Sequence, residues 1–161
     1  MKKQKGFSLI ELLIVVAIIL IIAAIAIPNL LRARMAANEA SAAASIRTIN
    51  TAEVTYQTNY PTTGFAAAIA NLGGASPCTA VIATACLIDN NLATGTKTGY
   101  NFTANAVAAV PSVSYAANGK PVSANQTGVR AFCSFEDAVV RVDPTGAGGV
   151  TVPACQALLP L

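Results

Sequence analysis

The distribution of apolar and polar residues changes abruptly within the first 60 positions. From Leu12 to Leu31 there are 20 consecutive residues without a formal charge, which as a helix would extend about 30 Å, the thickness of one hydrocarbon core. Between Phe7 and Tyr56 there is no glycine, and Pro28 is the one proline, so the pattern favours a single long helix bent near Pro28. Its first half is apolar on all sides and its second half is amphipathic.

The second half of this helix carries one apolar stripe. Its members recur at spacings of three and four residues, which places them on one face of an α-helix: Ala42, Ile46, Ile49, Ala52 and Tyr56. We expect this face to pack under a β-sheet.

Strand patterns gather in the C-terminal half of the chain. The β-branched and aromatic segments, separated by turn residues that include Asn118-Gly119-Lys120-Pro121, are Gly99 to Ala104, Ser112 to Ala116, Gly128 to Phe135 and Ala138 to Asp143. They predict a four-stranded antiparallel meander over residues 99–145, with one face on the helix and the other facing solvent. Residues 61–98 are predicted to be a connecting surface loop, with one helical turn near 66–71, and residues 146–161 a C-terminal tail.

The distribution of charge predicts how the chain is oriented in a membrane, and it does not indicate an anionic partner. The formal net charge is +3, but Lys2, Lys3 and Lys5 supply it, and beyond residue 6 the seven basic and seven acidic residues cancel. Bulk charge therefore gives no support for nucleic-acid binding. Basic residues ahead of an apolar helix fit the positive-inside rule, which keeps the short N-terminal flank in the cytoplasm and sends the rest of the chain outward.

Glu11 is an isolated carboxylate at the start of the apolar run. A charge at bilayer depth costs about 2.5 to 3.5 kcal/mol on insertion scales, so it usually has a partner and a function. The run contains no base. A cut after Gly6 would create an α-amino group on Phe7, and because Gly6 precedes the apolar run, such a cut would keep the hydrophobic helix, unlike cleavage of a secretory signal.

Four cysteines lie in the outward portion of the chain. An even count in a translocated domain predicts two disulfides, for which three connectivities are possible. Short local loops favour Cys78 with Cys86 and Cys133 with Cys155. The alternatives are buried free thiols or a four-thiolate zinc site, which the absence of a paired Cys-x-x-Cys motif disfavours.

The chain has few groups for catalysis. It contains no histidine, and it lacks nucleophile-elbow, phosphate-loop and dinucleotide motifs. The carboxylates beyond Glu11 are Glu39, Glu53, Asp89, Glu136, Asp137 and Asp143, and we interpret most of them as solvated surface groups. We predict no enzyme activity, no cofactor and no metal.

The N-terminal residues carry a family resemblance. Lys-Gly-Phe-Ser-Leu-Ile-Glu at positions 5–11, with Pro28 seventeen residues after Glu11 and a single C-terminal sheet, resembles the type IV pilins. The resemblance is detailed over about the first 30 residues and architectural beyond them. It implies an α+β fold shaped like a lollipop, with a long N-terminal helix whose C-terminal half packs on a small antiparallel sheet.

The same resemblance implies roles for individual residues. Residues 1–6 would be a prepilin leader, removed by a prepilin peptidase between Gly6 and Phe7, and Phe7 would become N-methylated. Residues 7–31 would form the membrane and filament-core helix, and residues 32–60 its amphipathic continuation. Glu11 would face the Phe7 amine of a neighbouring subunit, and the helix would loosen near Pro28, although Leu20 stands where many relatives have a helix-weakening glycine.

These features predict a major structural subunit of a type IV pilus. The pilus would serve adhesion, twitching motility or DNA uptake. The subunit would reside in the inner membrane with lipid around its helix, and the pilus assembly machinery would then polymerise it with copies of itself into an extracellular filament. A pseudopilin of a type II secretion system shares the N-terminal pattern and is the alternative. A membrane-anchored thiol oxidoreductase is a third hypothesis, which the missing Cys-x-x-Cys motif disfavours.

Overall fold

A computed structural model describes residues 8–107, 110–148 and 151–161. The chain is α+β, with one long helix followed by a small antiparallel sheet. In chain order its elements are α1 (Leu9–Asn59), α2 (Ile69–Leu72), α3 (Asn90–Ala93), β1 (Thr96–Lys97), β2 (Tyr100–Ala106), β3 (Tyr115–Pro121), β4 (Ala131–Phe135), β5 (Arg141–Asp143), α4 (Val152–Gln156) and β6 (Leu159–Pro160).

The chain divides into two units at residue 35. The described part of the first unit, residues 8–34, is exposed throughout except for the half-buried Ala23. It contains the apolar part of α1, residues 9–31, which is long and apolar enough to cross a membrane. α1 continues unbroken through Pro28, so this proline does not end the helix.

The second unit, residues 35–161, is a folded domain built on the apolar stripe of α1. All five predicted stripe residues are buried, so this prediction is confirmed. They pack in one core with aromatic side chains of the sheet: Tyr100, Phe102, Tyr115 and Phe132.

The sheet is a meander, but it has six strands rather than the predicted four. Strand order follows chain order and every neighbouring pair is antiparallel. The prediction missed β1 and β6 because each is two residues long, too short to show an alternating pattern. β1 lies in the predicted connector and β6 in the predicted tail.

The predicted turn at residues 118–121 is wrong, because these residues form the second half of β3. Asn118 pairs with Cys133 and Gly119 with Phe132 on β4. Gly119 serves close packing rather than a turn, since a Cβ there would lie 2.9 Å from Cε1 of Phe102. The predicted strand Ser112 to Ala116 therefore covers only the start of β3.

The outer face of the sheet is open to solvent as predicted only in part: Thr103 and Asn105 of β2 are exposed, whereas β4 is covered. Every residue of β4 is buried, which requires cover on both faces. On the outer face Cys133 and Phe135 form a small cluster with Cys155 of α4. A disulfide between Cys133 and Cys155 holds α4 over this face.

The connector at residues 61–98 is also more ordered than predicted, and it supplies much of the core. Its backbone returns along itself, with Ala85 N donating to Asn71 O and Leu87 N to Leu72 O, both at 2.7 Å. Asp89 caps α3 by accepting from Leu92 N at 3.0 Å. Its buried apolar residues are Phe65, Ala66, Ile69, Leu72, Ala85, Ile88, Leu92 and Ala93.

Candidate assembly surface and the carboxylates of the long helix

The first half of α1 presents apolar side chains on every side. Leu9 is 79% exposed and Leu30 is 69% exposed, and the large aliphatic residues between them are at least 46% exposed. An apolar surface of this length is unfavourable in water, because each CH₂ group removed from water gains about 0.8 kcal/mol of favourable free energy. Residues 9–31, called the apolar surface below, can therefore be stable only against lipid or against other protein.

Glu11 lies in the first turn of α1, at the start of the apolar surface. Its Oε2 accepts a hydrogen bond from Ser8 N at 2.9 Å, so the carboxylate caps the free amides at the N-terminus of the helix. None of the ion pairs within residues 8–107, 110–148 and 151–161 involves Glu11. Gly6 and Phe7, the predicted cleavage and methylation site, lie outside the described residues.

The four cysteines form two disulfides, one in the connector and one on the outer face of the sheet. Cys78 bonds to Cys86 with 6.1 Å between the Cα atoms, and Cys133 bonds to Cys155 with 5.9 Å. These are the short-range pairings that loop length favours. No cysteine is free, so the structure offers no thiol for the oxidoreductase hypothesis.

Glu39 lies on the second half of α1 and binds the start of β4. Its Oε1 accepts from Val129 N at 2.8 Å and Arg130 N at 3.1 Å, while Oε2 lies 2.7 Å from Nη2 of Arg130. Burial alone would raise the pKa of Glu39, but the two amides and the guanidinium outweigh it and lower the pKa below its ordinary value. This carboxylate fixes the register of α1 against the sheet.

Glu53 lies two turns before the end of α1 and has a different environment. It is 0% exposed, and its Oε2 accepts one hydrogen bond, from Ala66 N at 2.9 Å. Its Oε1 is buried without a hydrogen-bond partner among the described residues. Burial raises the pKa of Glu53 to about 7, against the opposing effect of the Ala66 amide.

The interpretation of Glu39, Glu53 and Asp143 as solvated carboxylates is wrong. All three are buried, at 7%, 0% and 8% exposure. The sequence carried a signal for the first two, because Glu39 precedes Ala42 by three residues and Glu53 follows Ile49 by four. That spacing puts both on the apolar stripe.

Comparisons with known proteins place the likeness at the N-terminus. Residues 1–27 match the model of the prokaryotic N-terminal methylation motif. Over 39 residues, 24% of this chain, the sequence is 67% identical to the type IV wide pilus major component PilA4 of Thermus thermophilus. Over 54 residues, 34% of this chain, it is 43% identical to the type IV major pilin protein PilA of Myxococcus xanthus.

The aligned segments span only 30% and 24% of these two relatives. No solved structure matches the chain. The family-model match lies within the first 27 residues, and the two alignments cover about a quarter and a third of the chain.

Proposed function

We propose that this chain, whose residues 1–27 match the prokaryotic N-terminal methylation motif, is a major structural subunit of a type IV pilus. The observation that carries the proposal is the exposed apolar surface at residues 9–31, which has the single carboxylate of Glu11 in its first turn. The methylation-motif match over residues 1–27 and the similarity to two major pilins support it.

Before assembly, lipid would cover the apolar surface. The lysines at positions 2, 3 and 5 would hold the N-terminus on the cytoplasmic side of the inner membrane, and the folded domain would lie outside it. The two disulfides fit that location because they persist in an oxidising compartment.

Removal of residues 1–6 by a prepilin peptidase would then change the charge at the start of the helix. The cut would replace three lysine side chains with one α-amino group on Phe7, which the family methylates. Glu11 of one subunit could pair with this amine on the next. A buried pair of this kind fixes register more than it adds net stability, because desolvation offsets much of the Coulombic attraction.

Polymerisation would transfer the apolar surface from lipid to a bundle of equivalent helices. Packing between these helices would supply the cohesion, and a repeated head-to-tail contact that does not close gives an open filament. The inner-membrane assembly machinery would drive the transfer, and the filament would extend outside the cell. The chain would act by assembly rather than by catalysis.

The first experiment is mass spectrometry of the mature N-terminus. We expect a chain that begins with N-methylated Phe7. A mature chain that keeps Met1, or one cut after residue 31, would contradict the proposal, because either product lacks a free amine at the start of an intact apolar helix.

The second experiment replaces Glu11 by Gln in cells that also express the wild-type chain. Glu11→Gln should enter the membrane normally, since it removes a charge, but enter filaments at least tenfold less well, because it cannot pair with the Phe7 amine. The same exchange at the exposed Glu136 is the matched control and should assemble normally. Equal incorporation of the two variants would refute the pairing, and filaments confined to the periplasm would favour the pseudopilin alternative.

A further inference from the structure

Glu53 is a buried titratable group that the proposed assembly does not use. Its carboxyl lies between α1 and residues 61–67, called the covering segment below, and accepts from Ala66 N at 2.9 Å. Both Glu53 and Ala66 are 0% exposed. One carboxyl oxygen therefore holds the covering segment, and the other is enclosed without a hydrogen-bond partner among the described residues.

No cation compensates Glu53 within the described part of the chain. The ion pairs there join Lys97 to Asp89, Arg130 to Glu39 and Arg141 to Asp137. Protonation is then the remaining way to remove a buried charge.

The titratable groups that face Glu53 are tyrosines, which are neutral at physiological pH. Tyr56 lies on α1 itself and Tyr115 on β3, and burial raises the pKa of each above its ordinary value. The negative charges of Glu136 and Asp137 raise the pKa of Tyr115 further, which keeps its hydroxyl neutral. The covering segment and α2 contain no titratable side chain.

The covering segment is attached to the domain on its other side as well. Phe65 N donates to Ser112 O at 3.1 Å and Ser112 N to Thr63 O at 2.9 Å. Gly64 permits this close approach, because a Cβ there would overlap the backbone of Ser112. The Phe65 ring packs on Tyr115 with 4.8 Å between centroids. The segment thus bridges α1 and the chain entering β3, and Glu53 is its side-chain link to α1.

We propose that Glu53 is a proton-controlled latch, which in its neutral form holds the covering segment on α1 and on ionisation lets that segment open to water. The neutral carboxyl still accepts the Ala66 amide through its carbonyl oxygen. The anion gains hydration only if the covering segment lifts, since no other described group can satisfy Oε1.

The direction of the pH dependence follows from linkage. Glu53 in the closed domain has a pKa raised to about 7, against 4.5 when exposed to water. The latch is therefore fully effective below pH 4.5 and weakens as pH rises from there through about 7. From pH 5 to pH 8 the opening equilibrium of the segment should rise on the order of 50-fold.

Amide hydrogen exchange of the full chain in detergent tests the latch. Protection factors at Phe65 and Ala66, corrected for intrinsic base catalysis, should fall on the order of 50-fold from pH 5 to pH 8. Glu53→Gln should abolish the fall. The amides of Val129 and Arg130, bound by Glu39, are an internal control and should keep their protection over the same range.

A second measurement does not depend on a variant that folds. The side-chain carboxyl carbon of Glu53, followed by NMR in the wild-type chain, should titrate near neutral pH. Titration below pH 5.5 would overturn the proposal, as would protection at Ala66 that is independent of pH. The latch is a property of the folded domain, so it stands or fails separately from the proposed pilus function.

Discussion

Leu30 and Ile46 lie sixteen residues apart on one continuous helix, yet Leu30 is 69% exposed and Ile46 is 0% exposed. Up to residue 34 the aliphatic side chains of α1 find no cover within the described chain, whereas from Ala42 onward a stripe of them forms the centre of a core. The first half of α1 is thus suited to contacts with lipid or other molecules. The second half makes contacts within its own molecule. The difference lies in the side-chain pattern, not in the backbone.

The carboxylates of α1 differ in the same way. Glu39 has a cation and two amides around it. Glu53 has one amide, and its other oxygen is enclosed without a hydrogen-bond partner among the described residues. Glu11 is exposed and is bonded to the backbone of Ser8. One residue type therefore has three physical settings on one helix, and each setting predicts a different response to substitution.

The largest expected effect tests the division between the two halves of α1. Ile46→Ala should lower the free energy of unfolding of the domain by about 2 to 5 kcal/mol, because it leaves a cavity under the sheet. The matched change at Ile19, which is 58% exposed, should alter it by less than about 0.5 kcal/mol. Denaturant titration of the full chain in detergent, followed by circular dichroism, measures both. Equal losses would show that the apolar surface contributes to domain stability.

The two buried carboxylates of α1 should differ in how they make the free energy of unfolding depend on pH. Glu53→Gln should raise the free energy of unfolding by about 3 kcal/mol more at pH 8 than at pH 4, since it removes a group whose pKa is raised to about 7 from 4.5. The stabilising effect of neutral Glu53 is complete below pH 4.5 and disappears through pH 7, so the wild type should lose stability in that window. A wild type whose stability stays constant from pH 4 to pH 8 would contradict this.

Glu39 should show the opposite pH dependence, with a smaller magnitude. Its lowered pKa means that it stabilises the domain above pH 4.5 and that this contribution disappears as pH falls further. Glu39→Gln should cost about 1 to 2 kcal/mol at pH 7 and less at pH 3, the ion pair being discounted because Arg130 is 47% exposed. Arg130→Met, which keeps both amide bonds to Glu39, is the milder control. If Glu39→Gln and Arg130→Met lower the free energy of unfolding equally, the ion pair alone accounts for the loss.

Much of the fold follows from local patterns in the sequence. The predicted helix between Phe7 and Tyr56 corresponds to α1 at Leu9–Asn59, since propensity and the absence of glycine act over many residues. The boundaries of β3 did not follow, because Gly119 resembles a turn residue and its reason for being there is the ring of Phe102 on the neighbouring strand. Such a contact exists only once the sheet is assembled.

The candidate site was predictable to a similar extent. The charge-free run and the isolated Glu11 are visible in the sequence because they are contiguous there. The partners of Glu39 and Glu53 are not, since Val129 lies 90 residues from Glu39 and Ala66 enters a core built largely by the connector. The stripe spacing carried a signal for the burial of both carboxylates, which their interpretation as solvated groups overlooked. Only the fold shows that Glu39 has an ion-pair partner and that Glu53 has none among the described residues.

The smallest change in stability is expected on the solvent-facing side of the second half of α1. Exposed threonines recur there at spacings of three and four residues, at positions 48, 51, 55 and 58. Thr55 donates its hydroxyl to Thr51 O at 2.8 Å, a bond that competes weakly with the helix backbone. Thr55→Ala should therefore raise the free energy of unfolding by a few tenths of a kcal/mol through helix propensity. Measuring both the free energy of unfolding and the incorporation of Thr55→Ala into filaments shows whether this face contacts solvent or other molecules. If incorporation stays normal, the face contacts solvent, and contacts between molecules are limited to the first half of α1. A loss of incorporation at unchanged stability would show that the intermolecular surface extends into the second half of α1.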